Sequence, residues 1–94
     1  MEIVWRPSAI EDINSAWRYI ARENPPAAER FYTRIVSAVE RLADNPNIGR
    51  PGRVPNTREL VVPRTRYVVA YTLIDDRLVV LSVQHGARRW PVSF

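Results

Sequence analysis

The chain has 94 residues, 46% hydrophobic and 26% charged, with a net charge of +4, no cysteine and a single histidine. That length predicts one small domain with no second core, and the missing cysteines exclude disulfides and thiolate metal sites and leave a zinc centre unexpected. The longest apolar run, Tyr67–Ile74, is too short to span a bilayer, and Met1–Pro7 lacks the apolar core of a signal peptide, so a cytosolic chain with no membrane partner is expected.

All fourteen basic residues are arginine. A GC-rich genome is the bland explanation. The functional one is that guanidinium groups suit phosphates and carboxylates, so the partner is expected to be nucleic acid or an acidic protein segment.

Glu2–Arg6 reads as a short strand ended by Pro7. Ser8 followed by Glu11 has the spacing of a capping box, with Glu11 and Asp12 near the positive end of the helix dipole. Ile10, Ile13, Trp17 and Ile20 make an apolar stripe, predicting a helix over Ser8–Glu23. Asn24-Pro25-Pro26 ends it and starts another over Pro25–Asn45, with Ala28, Phe31, Ile35, Val39 and Leu42 as its stripe. The short link folds the two helices back into a hairpin. Pro46–Thr57, with three prolines and two glycines, reads as a loop.

Arg58–Val62, Tyr67–Ile74 and Arg77–His85 read as three antiparallel strands. Asp75-Asp76 makes the second hairpin turn without the usual glycine. Strict alternation along the last strand places Val79, Leu81, Val83 and His85 on one face and Leu78, Val80, Ser82 and Gln84 on the other. The order β-α-α-β-β-β predicts a two-layer α+β domain, a helical hairpin packed on a mainly antiparallel sheet. The end of that sheet delivers His85, Arg88, Arg89 and Trp90 close together, with Arg64 and Arg66 from the first turn nearby.

The pieces EIVWRPSAIEDI, NPNIGRPGR, REL, YVVAY and VLSVQHGARRWP stand in an order and at spacings that resemble the RelE/ParE superfamily of toxins from type II toxin–antitoxin systems. The resemblance covers nearly the whole chain. It implies a partner antitoxin whose acidic C-terminal segment wraps the toxin in a hetero-oligomer, and no cofactor. It also implies one of two targets. RelE-like members enter the ribosomal A site and cut mRNA, whereas ParE-like members poison DNA gyrase. RelE-like catalysis uses lysines and an arginine three residues before a strand tyrosine. Here the tyrosine is matched by Tyr71, the position three before it is Val68, and there is no lysine. These departures and the apolar YVVAY strand look more ParE-like.

Three functions follow. The first is a non-catalytic gyrase inhibitor, with Trp90, Arg88, Arg89 and His85 meeting the target, because tryptophan and arginine dominate many protein contacts. The second is a ribosome-dependent mRNA endoribonuclease, with His85 as acid or base and Arg66, Arg64 and Arg58 as phosphate holders. The third is a non-toxic member that only binds its antitoxin. The bland readings are a hydrogen-bonding histidine at a strand end, solvated arginines and an Arg58–Glu59 ion pair. Ile13, Trp17, Ile20, Tyr32 and Val36 are the candidates for the antitoxin's amphipathic helix, with core packing as the alternative.

Overall fold

The structure is a computed structural model that describes residues 1–94. Strand β1 (Glu2–Trp5) leads into helix α1 (Pro7–Ala21) and helix α2 (Pro25–Asp44). Strands β2 (Arg50–Pro51), β3 (Arg58–Val61), β4 (Tyr67–Ile74) and β5 (Arg77–His85) follow. They form one five-stranded sheet of order β1-β5-β4-β3-β2, antiparallel except for β1, which runs parallel to β5. The β2 strand lies inside the stretch expected to be loop. Its two residues pair with Glu59 and Arg58, too short a ladder to leave a periodic signal.

The helices pack on one face of the sheet. Phe31, Ile35, Val39 and Leu42 of α2 join Val69, Tyr71, Leu78, Val80 and Val83 in one core. The α1 stripe is rotated from the expected one. Ala9, Ile13 and Ala16 are buried, while Ile10 is 48% exposed and Trp17 half-buried. Alanines let the helix approach the sheet closely, and larger residues would hold it away.

The expected capping box does not form. Pro7 has no N–H to satisfy and takes the first helical position, so Arg6 becomes the N-cap without a side-chain bond. Asn24 does cap α2, its Oδ1 accepting from the Ala27 N–H at 3.1 Å. The turn between β4 and β5 puts Asp75 and Asp76 at φ 49° and 61°, the left-handed pair that suits a strand-matched hairpin turn.

The alternation expected along β5 breaks at Leu81. Tyr71 pairs with Val80 and Ala70 with Ser82, which leaves Leu81 as an extra, bulged residue. The bulge changes the phase. Leu78 and Val80 share the helix-facing core with Val83, while Val79 and Leu81 do not. His85, two residues beyond Val83, is thereby carried to the helix side. On the opposite face Leu81 and Val54 lie beside Val92 and Phe94 of the C-terminal segment.

Candidate functional site

The site begins where β1 ends. The last backbone bond between that edge and β5 runs from the Arg6 N–H to the Val80 carbonyl at 3.1 Å. Beyond it, side chains of α1 take over. Ser8 Oγ donates to the carbonyl of the bulged Leu81 at 3.0 Å, and Asp12 Oδ2 accepts from the Val83 N–H at 3.0 Å. Ser8 and Asp12 are one helical turn apart, so both reach the strand from one face of α1. They satisfy backbone groups that the bulge and the missing strand leave open.

Next to this seam lies a groove of about 800 Å³, lined on the helix side by Asp12, Arg18, Tyr19 and Arg22 and on the sheet side by Tyr67, Val83, His85 and Arg88. Burial pushes the Asp12 carboxyl above its ordinary value, opposed by the Val83 hydrogen bond and the nearby Arg88 charge. Burial also raises the Tyr67 phenol, again opposed by Arg88. Tyr67 sits opposite His85 in the ladder, the rings edge to face at 5.5 Å, and Phe31 meets Tyr67 from below at 4.9 Å. His85 Nδ1 accepts from the Ala87 N–H at 3.1 Å, which leaves Nε2 without a protein partner.

Tyr19, Tyr67 and His85 also border a smaller hollow of about 290 Å³, walled by Arg30 and Arg34 of α2 and by Arg64 and Arg66. The β3–β4 turn that carries the last two is held in several ways. Arg64 is at φ 63° and its carbonyl accepts from Arg34 Nη1 at 3.3 Å. Thr65 Oγ1 donates to the Val62 carbonyl and accepts from the Tyr67 N–H, and the Gly86 N–H donates to the Arg66 carbonyl at 2.7 Å.

The structure therefore brings His85, Arg64, Arg66 and Arg88 around one pair of adjoining grooves. Arg58 stands apart, opposite Tyr71, where its Nη1 donates to the Gly49 carbonyl at 2.7 Å and fixes the loop. It does not pair with Glu59. That buried carboxylate accepts from the Arg53 N–H at 2.7 Å and from Arg50 Nη2 at 3.2 Å, since adjacent strand residues point to opposite faces. Arg53, held this way, stacks over the Trp90 ring at 4.2 Å. Trp90 is half-buried with its indole N–H enclosed, while Arg89 is exposed. Position 68, where a RelE-like arginine is expected, holds a valine only 3% exposed.

A second, apolar groove of about 380 Å³ runs along the helices and collects Ile13, Tyr32 and Val36 together with Trp5 and Ile10. Ile20 lies elsewhere, on the arginine-walled hollow, and Trp17 lines neither. Sequence spacing alone leaves out Asp12, Tyr19, Arg22 and Tyr67. The signal was present as a second stripe on α1, since Ser8, Asp12, Ser15, Tyr19 and Arg22 follow one another at three- and four-residue steps.

Residues 3–90 match the family model described as ParE toxin of type II toxin–antitoxin system, parDE. The chain is 38% identical to Y4kP of Sinorhizobium fredii over 89 residues, 95% of this chain and 92% of that one. It is 31% identical to toxin RelE2 of Caulobacter vibrioides over 87 residues, covering 93% and 97%. Against toxin ParE2 of Mycobacterium tuberculosis the identity is 32% over 77 residues, covering 81% and 72%. A solved structure, the chromosomal ParDE TA system from P. aeruginosa, shares the fold at a TM-score of 0.82 over 90% of this chain and 95% of that one, with 23% identity. The α+β sandwich and the near-complete family match agree: the chain belongs to the ParE toxin family and is the toxin of a type II toxin–antitoxin system, with a cognate antitoxin as partner.

Proposed function

We propose that this toxin acts in the cytoplasm as one domain that inhibits DNA gyrase by binding, through the surface at the end of β5 formed by His85, Arg88, Arg89 and Trp90. The observation that supports this reading over ribosomal cleavage is the sealed apolar position 68, in a chain that also lacks lysine. A ribosome-dependent nuclease needs a cation held against the scissile phosphate, and Val68 offers none there. Arg89 is exposed, and Arg88 borders an open groove, so both are available to a protein partner without unfolding the tail.

The antitoxin's place in this reading is the apolar groove of Trp5, Ile10, Ile13, Tyr32 and Val36, where an amphipathic helix can lay its apolar face. A complementary acidic segment can then follow the arginine-rich side of the molecule.

One observation favours the second reading, mRNA cleavage. His85 keeps Nε2 free beside Tyr67, with Arg64 and Arg66 at the same hollow, and these groups could shuttle a proton and hold a phosphate. The experiment that separates the two is expression of the toxin alone in cells, scored for the DNA-damage response and for cuts inside translated codons. Damage response with intact mRNA supports the gyrase reading. Codon-phased cuts that vanish in His85→Ala transfer the function to the ribosome.

A further inference from the structure

The face of the sheet away from the helices has a buried row of its own. Ala70 alternates with the helix-facing Val69 and Tyr71, and it pairs with Glu59 on one side and Ser82 on the other. All three of Glu59, Ala70 and Ser82 are at most 2% exposed. The loop after β2 and the C-terminal segment lie over this face. Val92 and Phe94 lie beside Val54 and Leu81, and the Arg53 guanidinium stands 4.2 Å above the Trp90 ring.

The C-terminal segment is loosely tied. No backbone hydrogen bond reaches residues 89–94, and the Trp90 indole N–H is enclosed without a partner. The stack of Arg53 on Trp90 is therefore the contact that fixes its course. Arg53 is itself held. Its N–H donates to Glu59 Oε2 at 2.7 Å, and its Nε lies 3.5 Å from Glu59 Oε1.

Arg88 and Arg89 consequently sit between two fixed points. Upstream, the Ala87 N–H donates to His85 Nδ1 at 3.1 Å and the Arg88 N–H to the His85 carbonyl at 3.0 Å. Downstream comes the stacked Trp90. With Trp90 released, the arginine pair would begin a free chain end, and a partner would have to order it at an entropic cost.

We propose that Glu59, through Arg53 and Trp90, positions the Arg88–Arg89 pair for the toxin's target. Glu59 and Arg53 are then positioning residues that stand outside the contact surface, and Trp90 gains a second task as anchor. This rests on the reading that the end of β5 meets the target.

The test uses the full chain and two readouts. The first involves no target: solvent exchange of the Trp90 indole N–H, followed by heteronuclear NMR and assigned by its loss in Trp90→Phe. The second is the amount of toxin per cell that halts growth. Arg53→Ala should speed indole exchange at least about fivefold and raise the arresting amount at least about tenfold. Its antitoxin affinity should stay within about twofold of wild type. Arg53→Lys keeps a cation for the ring and should bring both readouts back to within about threefold. Glu59→Gln should act in the same direction, and the double variant with Arg53→Ala should be no worse than Arg53→Ala alone, because both work through one contact. Val39→Ala, a truncation in the helix-side core, controls for lost stability and should move neither readout by more than about twofold. Unchanged indole exchange in Arg53→Ala overturns the proposal, since something else then holds Trp90. Faster exchange with an unchanged arresting amount overturns it too, and so does an equal loss of toxicity in Val39→Ala. A wild type that halts growth without inhibiting gyrase sinks the gyrase reading alone, and the same two readouts still decide whether Glu59 and Arg53 position the pair.

Discussion

Tyr71 is a completely buried residue whose hydroxyl donates to the Pro46 carbonyl at 2.6 Å and accepts from the Gly49 N–H at 3.1 Å. Tyr71→Phe leaves both groups unmet. The Gly49 amide is buried, so it bears a desolvation cost of about 1–3 kcal/mol; Pro46 is half-buried, and water can partly replace the phenol there. The sum is about 2 kcal/mol. For 94 residues the unfolding entropy near the midpoint is about 0.2 kcal/mol/K, so Tm should fall by about 10 °C. Circular dichroism melts and urea titrations measure both quantities. A partner substitution sharpens the test. A Cβ on Gly49 would sit 2.8 Å from Tyr71 Cε1 and 2.9 Å from Cζ, and closer still to the hydroxyl oxygen. Gly49→Ala should therefore be destabilising alone, and less so when the hydroxyl is already gone, giving a coupling of at least about 0.5 kcal/mol. A Tyr71→Phe protein within about 0.5 kcal/mol of wild type would refute the view that this hydroxyl pins the loop.

Three further outcomes are expected. Asp12→Asn keeps an oxygen for the Val83 N–H but loses the carboxyl whose pKa burial raises above 3.8. The native state then holds the extra proton, so this contribution is fully present below pH 3.8 and is lost as pH rises through the folded value. The wild type should accordingly lose stability relative to the variant over that rise, and a difference moving the other way contradicts the assignment. Asp76→Gly, at φ 61°, should raise stability by about 0.5–1 kcal/mol, read as a higher urea midpoint, because glycine adopts the left-handed turn without a side-chain penalty. Ile10→Asp places a charge on the apolar helix groove at a residue already 48% exposed. It should leave Tm within a few degrees of wild type and weaken antitoxin binding more than tenfold by titration calorimetry.

Much of this architecture is legible from periodicity and punctuation. The α2 stripe of Ala28, Phe31, Ile35, Val39 and Leu42 is buried as its spacing demands, and Asn24-Pro25 caps where the chemistry requires. Tyr67–Ile74 and Arg77–His85 pair as read, with Asp75-Asp76 between them. The misreadings are tertiary. Ser8 has the right spacing for a capping box, but the strand bulge at Leu81 supplies it with a carbonyl that no local pattern reveals. That bulge also reverses the phase of β5, so the face on which His85 sits cannot be derived by counting residues. The arginines are visible in the sequence, but which of them stay unpaired depends on Glu59 drawing in Arg50 and Arg53 in preference to its neighbour Arg58.

The role proposed for the end of β5 is to meet gyrase as a protein surface. It is tested most directly by gyrase-dependent supercoiling and DNA-cleavage assays with purified wild-type toxin, Arg88→Ala/Arg89→Ala and His85→Ala in parallel, each also added to translating ribosomes. The wild type should inhibit gyrase, the double arginine variant should lose inhibition by more than tenfold, His85→Ala should change it only modestly, and mRNA should stay intact throughout. Undisturbed gyrase, together with codon-phased mRNA cuts that fall by about a hundredfold in His85→Ala, would contradict it.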